Sequence, residues 1–194
     1  MPRQISYDPQ ALRTDLLRTF WTKGYAETSL VDLEGATGLN RRQLYNGIGD
    51  KRAMFLQAMD DFAETAGRRF LAALEAPEAG IAEIETLLAT FVRLSQEEEG
   101  RAGCMICSTS QEKIAADPDA TRRIDAYFDR IRAAYANALT RAAVRSETTL
   151  DPDAIPARAD ALLGTHVALC ILARAGRPED QLDRIARQAL VGIR

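Results

Sequence analysis

The sequence predicts an all-α chain of about nine helices, and three observations carry that prediction. Apolar residues recur at spacings of three and four through most of the 194 residues, the period of a helix that buries one face. Residues that start helices (Asp8 before Pro9, Ser29, Asn40, Asp50, Asp151 before Pro152) precede these stripes, and glycines follow several of them. No stretch shows the sustained alternation of a half-buried strand, and no internal repeat or low-complexity segment is present.

Taken in order, the first helix opens with Asp8 as cap and Pro9 at the first helical position, carries Leu12, Leu16 and Phe20 on one face, and stops at Gly24. The run Ser29-Leu30-Val31-Asp32 has the Ser-x-x-acid form of a capping box and opens a second helix that ends by Gly38. Asn40 caps a third helix to about Asn46, Gly47 and Gly49 break it, and Asp50 caps a fourth. In the fourth, Phe55, Met59, Phe62, Ala66, Phe70 and Leu74 recur as far as Pro77, which predicts one long rod. A fifth covers roughly 80–97 with Ile81, Ile84, Leu88, Phe91 and Val92 inward, and its end, Glu97-Glu98-Glu99, reads as solvated surface. A shorter helix follows Gly103. From about Pro118, Ile124, Phe128, Ile131, Tyr135 and Leu139 trace a long stripe to about Arg145. Asp151 and Pro152 open a segment reaching Gly176 that kinks at or starts from Pro156. Pro178 starts the last helix, with Leu182, Ile185, Ala189 and Ile193 on one side.

Composition narrows the class. Hydrophobic content of 46% and charged content of 27% suit a globular protein, and this length buries a core as one domain or as a small module on a larger body. No apolar N-terminal stretch reads as a signal peptide. The most apolar run, 161–173, contains Thr165 and His166 and is too short to span a bilayer. An odd count of three cysteines does not suggest a secreted disulfide framework. The expectation is a cytoplasmic chain with no membrane partner. Net charge is −3, but residues 1–58 carry eight Lys and Arg against six Asp and Glu, so a mildly basic head sits on an acidic body.

Residues 24–54 read as two short helices joined by a glycine turn and followed by a capped long helix, the outline of a helix-turn-helix. Arg41, Arg42 and Gln43 lie at the N-terminal end of its second helix, where such motifs touch base edges. Arginine can bridge guanine O6 and N7, and glutamine can pair with adenine. Lys51 follows the Asp50 cap, so the start of the fourth helix offers backbone N–H groups and a positive dipole end to phosphate. Alone, Arg41, Arg42 and Lys51 fit an ordinary solvated face; at this spacing they read as DNA contacts.

Residues 11–58 resemble the DNA-binding domain of the TetR family of transcriptional regulators. The matching residues are Phe20-Trp21-Thr22-Lys23-Gly24-Tyr25, the Thr28-Ser29 entry to the second helix, Gly38-Leu39-Asn40, Tyr45 and Lys51. The resemblance implies a double-stranded DNA operator as partner, contacted by Thr28, Ser29, Asn40, Arg41, Arg42, Gln43, Tyr45, Asn46 and Lys51, with Ser29, Tyr45 and Lys51 on backbone phosphates. It implies a helix-turn-helix domain at 1–50 and an effector-binding and dimerisation domain at 51–194. The expected function is that of a homodimeric repressor on a palindromic operator, released by an unknown small-molecule effector, with no cofactor and no catalytic role. In the resembled family the last two helices form a four-helix bundle across a two-fold axis. Gly164, Ala168, Leu182, Ile185 and Ala189 are then dimer-interface candidates, unless these faces close the chain's own core. Two departures stand out. Tyr45 is followed by Asn46-Gly47-Ile48 where the family places two polar or aromatic residues and Phe, and Gly35 lowers helix stability by about 1 kcal/mol relative to Ala.

Candidate effector contacts in the body are Phe62, Phe91, Cys104, Cys107, Tyr127, Phe128, His166 and Cys170. The aromatic residues lie on inward stripes and fit general core as well as a ligand box. His166, in an apolar run, is either a satisfied core residue or a hydrogen-bonding group for an effector. Cys104-Met105-Ile106-Cys107 admits three readings: with Cys170, small buried apolar residues; a thiol that senses an electrophile or oxidant, which needs a lowered pKa and has Arg101 nearby in sequence; or an all-helical thiol enzyme similar to the AhpD-like peroxidases, whose relay histidine is replaced here by Gln111. Gly103-Cys104-Met105 also resembles a helix start in one branch of TetR-type regulators. Two thiols and one distant imidazole leave a zinc site short of ligands, so no metal is predicted.

Overall fold

Short-range signals place the helix ends. In the computed structural model, which describes residues 7–193 and of Glu99 only the backbone, Asp8 accepts a hydrogen bond from the Gln10 amide and Pro9 opens α1 (Pro9–Glu27). Gly24, within that span, has φ +79° and ψ 176°, a conformation essentially reserved for glycine, so the regular helix stops where the sequence places its end. Ser29 and Asp32 form the capping box of α2 (Leu30–Thr37), which Gly38 closes in the left-handed region. Asn40 and Gln43 form another capping box on α3 (Arg41–Gly47), and Asp50 caps α4 (Lys51–Ala66) through the Ala53 amide.

The remaining elements are α5 (Ala72–Glu75), α6 (Ile81–Leu94), α7 (Glu98–Ala102), α8 (Met105–Thr109), α9 (Pro118–Val144), α10 (Ile155–Arg174) and α11 (Glu179–Ala189), with no strand among the described residues. The predicted helices are all present, and α4 and α5 form the predicted rod. The short α7 is an addition, because α6 ends at Leu94 rather than near Glu97 and the chain turns at Ser95. Glu97 and Glu98 are exposed as expected, and the Glu99 side chain lies outside the described residues.

The rod itself departs from regular α-helix. Gly67–Leu71 is a π-helical turn between α4 and α5. The buried stripe runs Phe62, Ala66, Leu71, Leu74, so one step of five replaces a step of four. Phe70, expected on that stripe, is half-buried and turned toward Phe91, with ring centroids 5.3 Å apart. Gly67 lies under the Arg130 guanidinium, where a Cβ has no room, and Glu75 holds that guanidinium through bonds of 2.6 and 2.9 Å.

Pro156 sits in the first turn of α10, so it starts that helix rather than kinking it. With the 3-10 turn Pro152–Ala154 before it, the span Pro152–Arg174 is long and apolar enough to cross a membrane by length and composition. The run 161–173, too short by itself, is the C-terminal part of this longer span. One face of α10 (Ile155, Ala159, Leu162, His166, Leu169, Ala173) is buried within the chain, as in a core helix. Packing joins α1 to α4, α9 to α10, α10 to α11 and α11 to α6. A single apolar cluster extends from Leu12 to Ile193, through head and body alike.

A Cβ at position 24 would stand 2.7 Å from Glu112 Oε1, on a backbone that disfavours any side chain. Gly24→Ala is therefore expected to lose about 1–3 kcal/mol in urea unfolding. A variant as stable as the parent would show that this turn relaxes without cost.

Candidate nucleic-acid interface and effector cavity

Leu33 and Leu44 are fully buried and seat α2 and α3 against the head. With that side fixed, α3 exposes Arg41, Arg42, Tyr45 and Asn46. Neither Arg41 nor Arg42 has an ion-pair partner among the described residues, so both guanidinium groups face water at the N-terminal end of the helix. Gln43 is less free than its type suggests. Its Oε1 accepts the Asn40 amide at 3.0 Å while Asn40 Oδ1 accepts the Gln43 amide at 3.0 Å, which leaves the Gln43 amide nitrogen as its outward group. Glu34 adds a third cap, its Oε1 accepting the Arg41 amide at 2.6 Å. The sequence reading missed this cap, since Glu34 stands seven positions away on another helix.

Lys51 Nζ lies 4.5 Å from the Tyr25 ring centroid, so it is positioned at the head as well as charged. Ser29 is exposed but shares its hydroxyl with Asp32 in the capping box. Thr28 is 0% exposed and donates its hydroxyl to the Gly24 carbonyl at 2.6 Å. Thr28 therefore joins the core of the head and does not stand with the exposed candidates. The departure after Tyr45 is accommodated, since Gly47 leaves room for the Tyr7 hydroxyl and Ile48 packs against the apolar cluster, and Gly35 stands in open space.

Polar fasteners at the junction of head and body include three that fix its geometry. Trp21 Nε1 donates to the Gly103 carbonyl at 2.9 Å. Both oxygens of Glu112 accept amides just beyond Gly24, from Tyr25 at 3.2 Å and Ala26 at 3.0 Å. Arg52, in the first turn of α4, donates to Asp117 at 2.7 and 2.8 Å. That pair, reinforced by the backbone N–H groups Asp117 caps, holds the Asp117 carboxyl down at about 2.

Behind Trp21 lies a cavity of about 110 Å³ whose wall includes Phe62, Phe70, Phe91, Cys104, Tyr127, His166 and Cys170. Six of the eight candidate effector residues come together here. Cys107 is buried beside the wall and Phe128 is half-buried, and neither lines the cavity. Phe70 and Trp21 are additional wall residues, the first delivered by the π turn and the second by its place on α1. Burial pushes the Cys104 thiol well above its ordinary value. For Cys107 the hydrogen bond with Cys104 pulls the thiol down, but the bond with Cys170 and burial outweigh it and the net shift is upward. Arg101 is exposed. A sensing thiol needs the opposite shift, so Cys104 and Cys107 fit small buried groups, while Cys170 is half-buried in the cavity wall. No group of three His, Cys, Asp or Glu suited to a metal occurs among the described residues.

The dimer candidates divide. Gly164 is exposed, and Ala168, Ile185 and Ala189 are half-buried on the outer side of α10 and α11. Leu182 is 0% exposed in the chain's own core, where the helical period turns it inward with Ala186.

His166 is 2% exposed, and burial lowers its imidazole from 6.5 to about 4. Between those values the unfolded chain binds the proton and the folded chain does not. Stability is therefore lost as pH falls through that window, by on the order of 3 kcal/mol in all. Urea midpoints at about pH 7 and pH 5 are expected to drop more in the parent than in His166→Phe. Equal drops would assign the acid sensitivity to other groups.

No family model matches the chain. It is 27% identical over 183 residues, 94% of each protein, to the uncharacterized HTH-type transcriptional regulator YezE of Bacillus subtilis (strain 168). Among solved structures, a cysteine mutant of the TetR family transcriptional regulator CifR complexed with 26bp double-strand operator DNA superposes over 100% of both chains, with a TM-score of 0.84 at 19% identity. A TetR transcriptional regulator from Chloroflexus aurantiacus J-10-FL does so over 94% of this chain and 93% of its own, with a TM-score of 0.78 at 24% identity. These proteins are regulators rather than enzymes. The chain therefore has the fold of these TetR family regulators and is similar in sequence to an HTH-type transcriptional regulator.

Proposed function

We propose that the chain is a homodimeric DNA-binding transcriptional regulator, an effector-released repressor on a palindromic operator. Residues 1–50 are its reader and residues 51–194 its effector-binding and dimerisation unit. The observation that carries the reading is α3, a short helix locked by capping boxes and by Leu44, with unpaired Arg41 and Arg42 at its outward N-terminal end. That is where a major-groove helix presents donors to base edges. Asn40, Tyr45, Asn46 and Lys51 border it and suit phosphate or base contacts; Gln43 offers its amide N–H groups.

A single head reads a single half-site, and two-fold pairing matches a palindrome. The surface for pairing is the outer side of α10 and α11, where Gly164 and Ala168 allow close approach, Ile185 and Ala189 lie alongside, and Ile171 remains 41% exposed. A second copy on this face accounts for the apolar α10 without a membrane, in keeping with a protein that works on DNA in the cytoplasm. Effector release follows from α4, which lines the cavity with Phe62, Thr65 and Ala66 and begins at Lys51 in the head. A ligand releases DNA only by binding the released arrangement better than the DNA-bound one.

Fluorescence anisotropy on DNA upstream of the chain's own gene, titrated against salt, tests the reading. Arg41→Ala and Arg42→Ala are expected to lower specific affinity by roughly 1–3 kcal/mol per lost bidentate contact and to relax sequence preference. Lys51→Ala should weaken all sequences alike and reduce the salt slope by about one. Unchanged operator binding by the double arginine variant would overturn the assignment. For the dimer, the double variant Ala168→Arg, Ile185→Arg is expected to sediment as a folded monomer that no longer binds the operator tightly. A dimeric sedimentation coefficient would move the interface to another face.

A further inference from the structure

We infer that the cavity behind Trp21 takes an uncharged, single-ring aromatic molecule carrying a carbonyl-type acceptor oxygen, with Tyr127 and His166 as the donors that orient it. This rests on the reading of the body as an effector site and names the ligand class for that site.

Size limits the ring count. The cavity holds about 110 Å³, and apolar cavities of roughly 150 Å³ in proteins hold one benzene, so a single ring fits with small adjustment and a fused polycycle does not. The wall suits a flat apolar body: Trp21, Phe62, Phe70 and Phe91 contribute rings from α1, α4, the π turn and α6.

The polar groups set the ligand's chemistry. The Cys104 thiol donates to Tyr127 Oη at 3.9 Å, which leaves the Tyr127 proton to be directed elsewhere. Tyr135 Oη lies 3.4 Å from His166 Nδ1. With Nδ1 as acceptor, the buried Tyr135 proton has a partner and the imidazole proton is assigned to Nε2. His166 is one of the residues that line the cavity, so the N–H it has left to offer a ligand there is the one on Nε2. Both groups are donors, and neither calls for a donor on the ligand.

Charge is excluded by the same wall. Burial lowers His166 and raises Tyr127, so both are neutral near pH 7. The charged side chain of the lining is Arg69, exposed at the rim and 5.0 Å from the Phe70 ring. A carboxylate seated among the aromatic rings, away from that exposed guanidinium, would lose its hydration without a charge to replace it.

Calorimetric titration of the full chain with acetophenone, ethylbenzene and benzoate tests the inference. Acetophenone is expected to bind about tenfold or more tightly than either of the others, the effect of one well-made buried hydrogen bond. His166→Phe and Tyr127→Phe should each bring acetophenone toward the ethylbenzene affinity and leave ethylbenzene unchanged, which also reports that the cavity is intact. His166→Gln, which keeps an N–H near Nε2, should retain most of the preference. The inference is overturned if ethylbenzene matches acetophenone, if benzoate binds tightest, if none of the three saturates, or if the double Phe variant keeps the preference. Should the variants not fold, the ranking on the parent chain decides. No DNA enters this experiment, so a missing operator leaves its result standing, and a failed ranking leaves the DNA assignment standing.

Discussion

Phe55, Met59 and Phe62 stand on one stripe of α4 and are buried from two directions. From the head, α1 covers the stripe with Phe20, Trp21 and Tyr25, at centroid distances of 5.1 Å from Phe20 to Phe55, 4.9 Å from Tyr25 to Phe55 and 5.2 Å from Trp21 to Phe62. From the body, α9 brings Tyr127 to 6.2 Å from Phe62. Each such side chain contributes roughly 1.5–3 kcal/mol on burial, so the head is held by apolar surface that the body also uses. A wall shared in this way cannot shift on one side and stay packed on the other, because a close-packed interior transmits displacement.

The polar fasteners around that wall act by geometry more than by strength. Arg52 with Asp117 and Arg123 with Asp60 are largely solvated pairs, and such pairs contribute little to stability. Their effect is to fix where α4 meets the start of α9, since Asp117 also caps α9. Residues 103–112 perform a related task. The Gly103 carbonyl holds Trp21, Cys104 caps α8 and touches Tyr127 in the cavity wall, and Glu112 holds the turn after Gly24. One short segment thus borders both the cavity and the chain leading into the helix-turn-helix.

Local chemistry made much of this legible from the residues. The capping box at Ser29, the cap at Asn40, Pro9 after Asp8 and the stop at Gly38 depend on neighbours within three or four positions, and each stands as expected. Long-range packing was not legible in the same way. A uniform helical period places Phe70 in the core, whereas the π turn under Arg130 gives that place to Leu71 and turns Phe70 to the cavity. Leu182 and Thr28, chosen for a partner face and for DNA, are buried because the period of α11 and the turn after Gly24 carry them inward.

The sequence by itself determined the all-helical class, most helix ends and the stretch that forms the helix-turn-helix, because caps, turns and amphipathic stripes are set by side chains close in the chain. Tertiary structure alone decided which of those side chains meet. It brought α1, α4, the π turn, α6, α7, the cap of α8, α9 and α10 around one cavity, and it buried Cys104 and Cys107 so that their thiol pKa values rise. It also left His166 neutral beside Tyr135. Burial and desolvation depend on groups a hundred or more residues apart, and no local pattern records them.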